Sequence, residues 1–391
     1  MSKLAQIEGN LNPFPIYAEM RQSNPVYFDP RRKNYNIFLY DDVQRVLSEY
    51  TTFSSQFTGD QGGGGGEPFS ASMISTDPPK HRKLRTLVSQ AFTPRAVEAL
   101  APRIQSIVDS HLDAALGEGQ MDVIENLGYP LPVIVIAELL GVPAEDRAKF
   151  KKWSDIVVSL ADLGGEIDYE AFNNQAVMEM SAYFFNMIEQ RRVNPGDDLI
   201  SGLLQAEVDN ERLSVIELLG FCALLLVAGN ETTTNLIGNA MLTFVENPDA
   251  WEKLRQQPEL LQPAIEEVLR FRSPVQSMFR VTKEEAIVAG TTIPANQPLV
   301  AWIGSANHDE NQFPEPEKLD IERKPNRHLA FGHGIHYCLG APLARLEASI
   351  ALRGMLERFS TIQLAPGASP ERIPSILIYG LRSLPITFTK A

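Results

Sequence analysis

Apolar residues recur along much of the chain at three- and four-residue spacing, which is the spacing of a helix with one buried face. This spacing predicts helices over residues 14–21 and 41–49, and helical patterning dominates from about 78 to 359. Most of the chain is therefore expected to be helical.

Short runs rich in β-branched and aromatic residues predict a smaller β region. Two such runs lie at residues 25–28 and 35–39, and further strand signals lie within 286–302 and 376–388. The predicted fold class is mainly α with a minor β region.

Five consecutive glycines in the segment DQGGGGGEP, residues 60–68, are too unrestrained to hold a regular helix or strand. The segment is either a domain linker or a mobile loop. Because only 59 residues precede it, too few for a convincing separate core, we interpret it as a loop inside a single domain spanning residues 1–391.

The longest apolar run belongs to a predicted helix that begins with a capping box. Ser214 and Glu217 have the Ser-x-x-Glu spacing in which each side chain bonds the other residue's backbone N–H. From Leu218 to Ala228 the helix is apolar on every side, which is typical of a helix that crosses a protein core.

Polar residues interrupt this helix at its middle. Gly229 and Glu231 are followed by three threonines at 232–234, and the apolar pattern resumes at Leu236. These polar side chains either emerge at a surface or serve a buried site. A bulged helix that carries an acid, Glu231, and a hydroxyl, Thr232, suits proton delivery to a buried reaction centre.

Composition limits the classes of protein that remain. The chain has 391 residues, of which 44% are apolar and 21% charged, as in an ordinary globular protein. The longest run without a polar side chain, Leu218 to Gly229, has 12 residues, fewer than the roughly 20 of a membrane span, and the N-terminus lacks the apolar stretch of a signal peptide. Two cysteines form no disulfide framework. We therefore expect a cytoplasmic protein that binds no membrane.

One basic run, KHRKLR at residues 80–85, departs from an acidic background. The formal net charge of −14 argues against a broad nucleic-acid surface. The helix that contains the run is expected to begin with Asp77 as its N-cap. His81 and Arg85 border the apolar face of this helix, so they need an anion, either a carboxylate of the chain or a bound cofactor.

The loop FGHGIHYCLG, residues 331–340, holds one of the two cysteines and two histidines. His333, His336 and Cys338 could bind zinc, although structural zinc usually takes four Cys or His ligands. A thiol nucleophile with a histidine base leaves the glycines and the acid–threonine helix without a role. A third interpretation is a thiolate bound to haem iron, because Cys338 precedes a predicted helix whose N-terminus stabilises an anion.

The sequence resembles the bacterial soluble cytochromes P450. The cysteine loop matches the family's Phe-x-x-Gly-x-x-x-Cys-x-Gly signature, and the long helix matches its Ala/Gly-Gly-x-Asp/Glu-Thr-Thr pattern. Glu267 and Arg270 match the family's Glu-x-x-Arg pair, and Arg323 matches the arginine that completes this structural triad. The motifs occur in the family's order and cover residues 10–390.

This resemblance implies a haem b between the long helix and the helix that follows the cysteine loop. Cys338 would be the axial thiolate of the iron, and Phe331 would pack beside the sulfur. Thr232 would hydrogen-bond the reacting oxygen, and Glu231 would help to relay protons to it. The cations that would bind the haem propionates are His81, Arg85, Arg280 and His336.

The reaction implied by the resemblance is monooxygenation of a hydrophobic molecule such as a fatty acid, terpenoid or steroid. O2 and two electrons would be consumed, and the electrons would come from a ferredoxin or flavodoxin with its reductase. Lys80, Arg82 and Lys83 would face outward, where an acidic ferredoxin could dock. Two alternatives are a peroxygenase that uses hydrogen peroxide and a haem protein without catalytic activity.

The resemblance also implies an apolar substrate pocket. Its walls would include the glycine-rich loop to about residue 72 and the region 162–172. The individual residues expected in the walls are Leu224, Val227, Ala228, Val275, Leu377 and Ile378. The second cysteine, Cys222, is interpreted as a small buried apolar side chain.

Overall fold

Helices make up most of the chain in the computed structural model, which describes residues 4–56, 72–150, 152–153 and 175–391. This confirms the predicted fold class, mainly α with a minor β region. The glycine-rich segment 60–68 and the predicted pocket region 162–172 lie outside the described residues.

The helices and strands of the described residues have the following bounds. The helices are α1 (Phe14–Ser23), α2 (Tyr40–Ser48), α3 (Lys80–Ala91), α4 (Pro94–Glu98), α5 (Ala101–Leu116), α6 (Pro130–Leu139), α7 (Gln175–Val193), α8 (Leu199–Gln205), α9 (Val215–Glu246), α10 (Pro248–Gln256), α11 (Leu261–Phe271), α12 (Ile303–Ala306) and α13 (Ala341–Arg358). The strands are β1 (Val26–Asp29), β2 (Asn34–Ile37), β3 (Phe53–Ser54), β4 (Gln120–Asp122), β5 (Met278–Thr282), β6 (Ala286–Val288), β7 (Thr291–Ile293), β8 (Pro298–Ala301), β9 (Phe359–Leu364) and β10 (Pro385–Lys390).

Packing divides the chain into two compact units. The first contains Met1–Thr52, Ala101–Leu131 and Thr232–Ala391, and the second contains Phe53–Leu100 and Pro132–Glu231. Both α6 and α9 contribute residues to each unit. The single domain expected from the sequence stays a prediction.

The sheets of the first unit contain strands that the sequence predicts, β1, β2, β8 and β10, and strands that it does not, β4, β5 and β9. Strands β1 and β2 pair antiparallel, β2 pairs with β8 in parallel, and β8 pairs antiparallel with β5. A second sheet has the order β4, β10, β9. A buried cluster lies beside the first sheet, and its members are Leu4, Ile7, Phe14, Tyr17, Met20, Phe38, Phe271, Val300, Trp302 and Ile376.

The strand predicted within residues 376–388 is shorter than expected. It begins only at Pro385, because the preceding residues pair through isolated bridges, Val275 with Ile378 and Arg372 with Leu381. The segment 376–381 is therefore irregular chain fixed to its neighbours, which matters for the candidate pocket.

In the second unit, α3 carries the basic run but does not begin as predicted. Its N-cap position is Pro79, which has no side chain able to cap. The Asp77 carboxylate accepts hydrogen bonds from the Ser54 hydroxyl (2.6 Å) and the Ser55 N–H (3.1 Å) instead. The prediction of an Asp77 side-chain cap is therefore wrong, because another segment of the chain occupies that carboxylate.

The long helix α9 begins at Val215 with the predicted capping box. The Ser214 N–H donates to the Glu217 carboxylate (2.9 Å), and the Glu217 N–H donates to the Ser214 hydroxyl (3.3 Å). The bulge expected in its middle is wrong, since the helix is continuous from Val215 to Glu246. Gly229 is explained by close packing, because a Cβ there would lie 2.9 Å from Ile136 Cδ1.

Length and apolar composition alone would allow α9 to cross a membrane, a test that the core helix of a globular protein also passes. Several polar side chains of its C-terminal half are buried within the first unit, namely Thr233, Thr234, Asn235, Asn239 and Thr243. Burial of these groups within the protein is typical of a core helix.

Candidate functional site

The cysteine loop, residues 331–340, is closed by backbone hydrogen bonds. The Cys338 N–H donates to the Phe331 carbonyl (2.9 Å), so the two ends of the signature lie side by side. A single 3-10 turn, Gly334–His336, lies between them. Cys338 is exposed in this structure, whereas Cys222 is completely buried and burial raises the pKa of its thiol to about 12. The interpretation of Cys222 as a buried apolar side chain is confirmed.

Gly334 has a physical reason to be glycine, and the surroundings of Gly340 give the position of the sulfur. Gly334 has a φ of +70°, and a Cβ there would meet the Cα of Ser48 at 2.7 Å. At Gly340 a Cβ would lie 3.9 Å from Cys338 Sγ, which places the sulfur beside the N-terminal end of α13. The loop thus packs against the end of α2 while its sulfur lies beside a helix start, as the sequence predicts.

An ion-pair network fixes Phe331, the first residue of the signature. The Arg345 guanidinium lies over the Phe331 ring, 4.4 Å from its centroid. Its Nε and Nη2 both donate to the Glu266 carboxylate at 2.7 Å. His328 Nε2 lies 3.0 Å from the same carboxylate, and His328 Nδ1 accepts the Ala330 N–H. These contacts place the Nε2 proton toward Glu266.

In this network Glu266 and Arg345 stabilise each other's charged forms. Burial alone raises the pKa of Glu266, but the hydrogen bonds from Arg345 and His328 outweigh it and lower this pKa to about 2. The hydrogen bond to Glu266 raises the pKa of Arg345. The cysteine loop is therefore connected to α11 through a carboxylate that stays ionised at neutral pH.

Glu267, Arg270 and Arg323 come together as the predicted triad. Arg270 donates to both Glu267 oxygens (2.9 and 2.8 Å), and Arg323 Nε lies 3.2 Å from each of them. Glu267 and Arg270 are completely buried. Arg270 Nη1 also donates to the carbonyls of Asn307 and Pro316. The triad thus joins α11 to the chain before the cysteine loop.

The remaining predicted residues fall in both units. Thr232 and Glu231 are adjacent and half-buried on α9, and Thr232 belongs to the first unit while Glu231 belongs to the second. Arg280 is buried in β5, and its Nη1 donates to the Phe279 carbonyl (2.7 Å), while His336 is half-buried in the loop.

His81 and Arg85 lie on α3 in the second unit. His81 is buried and Arg85 is half-buried. Burial and then the Arg85 charge lower the pKa of His81, and Asp77 acts in the opposite direction. Of the residues predicted to face outward, Lys80 and Arg82 are exposed, but Lys83 forms an ion pair with Glu211. Lys83 is half-buried and Glu211 is exposed, so this pair lies at the surface and does not contradict an outward-facing Lys83.

The candidate pocket residues of the first unit lie on two neighbouring segments that are hydrogen-bonded to each other. Val275 and Ile378 form a β-bridge, and the Gln276 N–H donates to the Leu377 carbonyl (2.6 Å). In the second unit, Leu224 is half-buried and Ala228 is exposed, although both lie on the most apolar part of α9. The side chain of Val227 lies outside the described residues.

Sequence reasoning missed the residues that support these segments. Glu266, His328 and Arg345 fix Phe331, yet 79 residues separate Glu266 from Arg345, so no local pattern connects them. Asn235 and Asn239 are buried one turn apart on α9, and only their spacing on an otherwise apolar helix could have drawn attention to them.

Comparison with known protein families gives one match over most of the chain. The family model described as Cytochrome P450 matches residues 24–386. The chain is 45% identical to the putative cytochrome P450 YjiB of Bacillus subtilis, over 95% of this chain and 93% of that protein. It is 43% identical to cytochrome P450 109 of Bacillus spizizenii, over 100% of this chain and 95% of that protein.

Solved structures of similar proteins have the same fold. CYP109E1 from Bacillus megaterium, in complex with testosterone, has a TM-score of 0.88 at 43% identity and covers 97% of this chain and 100% of its own. P450BioI, in complex with an acyl carrier protein ligated to hexadec-9Z-enoic acid, has a TM-score of 0.89 at 35% identity, over 97% of this chain and 98% of its own. The fold predicted from the sequence is confirmed.

Proposed function

Since the chain belongs to the cytochrome P450 family, we propose that it hydroxylates a steroid, fatty acid or terpenoid with electrons from a separate protein. It is a cytochrome P450 monooxygenase, an enzyme that oxidises hydrophobic small molecules. The balanced reaction is RH + O2 + two electrons + two protons, giving ROH and H2O.

The observation that carries the proposal is the cysteine loop. Its sulfur is exposed beside the start of α13, and its first residue, Phe331, is fixed by Arg345. A thiolate at Cys338 is the type of ligand that P450 haem iron takes. The donor set present in this chain therefore fits a haem b.

The residues that would hold the haem are Cys338 through its sulfur and four cations through the propionates. The haem, once bound, would supply activation of O2. His81 and Arg85 lie close enough on α3 for the charge of one to lower the pKa of the other, which favours an anion between them. Arg280 and His336 would bind the propionates from the first unit. Phe331, packed under Arg345, would exclude water from the sulfur.

Two adjacent residues of α9 would manage protons. The Thr232 hydroxyl can both donate and accept a hydrogen bond, and the Glu231 carboxylate can exchange protons with solvent because both residues are half-buried. Thr232 would hold a proton at its Oγ1 toward the reacting oxygen, and Glu231 would replace it.

Apolar side chains support a hydrophobic substrate. Leu377, Ile378 and Val275 are half-buried in the first unit, as Leu224 is in the second, so each keeps apolar surface that a ligand could cover. The structure of CYP109E1 with testosterone and that of P450BioI with a fatty-acyl chain support a steroid or a fatty acid as the substrate class.

A separate electron donor of ferredoxin or flavodoxin type, with its reductase, completes the proposal. The exposed cations Lys80 and Arg82 would attract an acidic donor. We also propose a cytoplasmic location, which the small number of cysteines, two in 391 residues, supports.

The test begins with the sulfur. The reduced holoenzyme with carbon monoxide should give the long-wavelength Soret band of a thiolate-bound haem, Cys338→Ser should lose it, and the matched control Cys222→Ala should keep it. A wild-type protein that folds and binds haem without this band would contradict the assignment.

Substrate class and electron source need a second experiment. Testosterone and hexadec-9Z-enoic acid are titrated while the haem spin state is recorded, and product is then sought with O2, a surrogate ferredoxin and its reductase. Product formed with hydrogen peroxide but not with O2 and reductase would identify a peroxygenase instead.

A further inference from the structure

The two candidate pocket segments of the first unit, 274–278 and 376–379, are hydrogen-bonded into one piece. The Gln276 N–H donates to the Leu377 carbonyl (2.6 Å), and the Tyr379 N–H donates to the Pro274 carbonyl (2.8 Å). The Ser277 hydroxyl donates to the Ile376 carbonyl (3.0 Å). Because these bonds link main chain to main chain or to a short side chain, the two segments must shift together.

The long helix α9 holds this piece through Asn239. Its Nδ2 donates to the carbonyl of Tyr379 (2.9 Å), at the end of the second segment, and to that of Arg272 (3.1 Å), two residues before the first segment. Asn239 is completely buried, so it meets no substrate and acts only through the main chain that it bonds.

A second asparagine, one turn earlier on α9, lies against the same turn. Asn235 is 1% exposed. A Cβ added at Gly380 would lie 2.5 Å from Asn235 Cγ and 2.8 Å from its Nδ2, and its three nearest atoms all belong to Asn235. Gly380 has no positive φ, so its backbone would accept alanine without strain. Glycine is therefore needed at 380 because the Asn235 amide occupies the space of a side chain.

We propose that Asn235 and Asn239 are positioning residues that set the place of Leu377 and Ile378 and thereby select among hydrophobic substrates. This inference rests on the proposed function, in which these two side chains line the pocket. A hydrophobic pocket discriminates ligands through fit, and a misfit of one methylene changes binding roughly tenfold or more. A shift of the turn by the size of a methyl group should therefore change which ligand binds best.

The experiment uses the holoenzyme and a double-mutant cycle. The variants are Gly380→Ala, Asn235→Ala, the double variant Asn235→Ala/Gly380→Ala, and Asn239→Ala. Asn247→Ala is the matched control, because the Asn247 amide likewise donates to a main-chain carbonyl, that of Thr243 four residues earlier, and not to a pocket segment in any described contact. For each variant the Kd of testosterone and of hexadec-9Z-enoic acid is measured by spin-state titration, and the carbon monoxide band verifies an intact haem site.

We expect Gly380→Ala to change the ligand preference in the wild-type background but to have little effect in the Asn235→Ala background. Gly380→Ala should change the ratio of the two Kd values by about fivefold or more, since the new methyl group displaces the turn. The double variant should return to within about twofold of Asn235→Ala, because removal of the amide makes room for the methyl group. Asn239→Ala should change the ratio while Asn247→Ala leaves it as in wild type.

Several outcomes would overturn the inference. Wild-type Kd ratios in both Gly380→Ala and Asn239→Ala would show that the turn's position does not select ligands. If Gly380→Ala changed the ratio as much in the Asn235→Ala background as in wild type, Asn235 would not be the cause. If Gly380→Ala fails to fold, the Kd ratio of Asn239→Ala decides alone, and a wild-type ratio there would overturn the inference. A wild-type holoenzyme with the thiolate band that binds neither probe overturns the proposed substrate class and the inference with it.

Discussion

Glu347 is a buried acid on α13. It is 1% exposed, and neither carboxyl oxygen has a hydrogen-bond partner among the described residues. Burial raises its pKa from 4.5 to about 8. At neutral pH the folded protein therefore keeps this carboxyl protonated, whereas the unfolded chain releases the proton.

The sign of the resulting pH dependence follows from this difference. Below pH 4.5 both states are protonated, so the group costs nothing, and between 4.5 and about 8 folding becomes less favourable as pH rises. The slope contributed is about 1.4 kcal/mol for each pH unit in this window. Glu347→Gln should remove that slope, so the variant gains stability relative to wild type as pH rises from 5 to 8.

Denaturant unfolding at several pH values measures this effect. Glu357→Gln on the same helix is the matched control, because Glu357 is exposed and should leave the pH profile unchanged. If Glu347→Gln and wild type had parallel profiles, the carboxyl would be ionised or hydrated in the folded protein.

Thr232 gives a second prediction at the scale of one side chain. Thr232→Ala removes the hydroxyl that would hold a proton near the reacting oxygen, so electrons should be consumed without forming product. The fraction of electrons recovered as hydroxylated product should fall by about tenfold or more. Thr86→Ala is the control, since Thr86 is exposed and its hydroxyl donates to the Arg82 carbonyl of its own helix. Undiminished coupling in Thr232→Ala would remove the assigned role.

At the scale of elements, Glu266 connects α11 to α13 and to the cysteine loop. Glu266→Gln keeps the shape but loses the charge that holds Arg345 over Phe331 and accepts from His328. A part-buried pair of this kind contributes about 1 kcal/mol. The thiolate-type Soret band of the carbon monoxide complex should therefore be lost about fivefold faster on mild heating.

The control for this experiment is Glu207→Gln, which breaks an exposed ion pair with Arg212 more than a hundred residues before the loop. Its band should decay as in wild type. Equal decay in Glu266→Gln and wild type would mean that backbone bonds alone, such as Cys338 N–H to the Phe331 carbonyl, hold the loop.

Elements were predictable where their cause is local in sequence. The capping box formed as expected because Ser214 and Glu217 lie three residues apart and need no other segment. The prediction that Asp77 caps α3 is wrong because its carboxylate accepts a hydrogen bond from the Ser54 hydroxyl, 23 residues away. The bulge expected near Gly229 is absent, and the glycine has a different cause that is also distant in sequence. A Cβ at position 229 would lie too close to the side chain of Ile136.

The site follows the same division. The resemblance to the family's motifs singled out Cys338, Phe331 and the acid–threonine pair, and their roles at a haem stay predictions. Asn235 could not be assigned, because its role depends on contact with Gly380, which the sequence separates by more than a hundred residues. Supporting residues are chosen by three-dimensional neighbours, and these are not visible in local patterns.

At the scale of the whole molecule, the Glu267–Arg270–Arg323 triad is where several segments of the first unit meet. Arg270 bonds Glu267 on its own helix and the carbonyls of Asn307 and Pro316. The Asp320 N–H also donates to Glu267. Because both charges of the pair are completely buried, neither can turn to water if the other is removed.

Arg270→Met should therefore destabilise the protein as a whole, not the site alone. It leaves the Glu267 carboxylate buried with only Arg323 as a charged partner, and loss of one member of a buried pair costs about 3–5 kcal/mol. Denaturant unfolding should show this loss, and little haem-loaded protein should be recovered. Arg212→Ala, which breaks an exposed pair with Glu207, should cost less than about 1 kcal/mol. If Arg270→Met instead unfolded at the wild-type midpoint, the neighbouring carbonyls and Arg323 would suffice to hold these segments, and the triad would not be required for the fold.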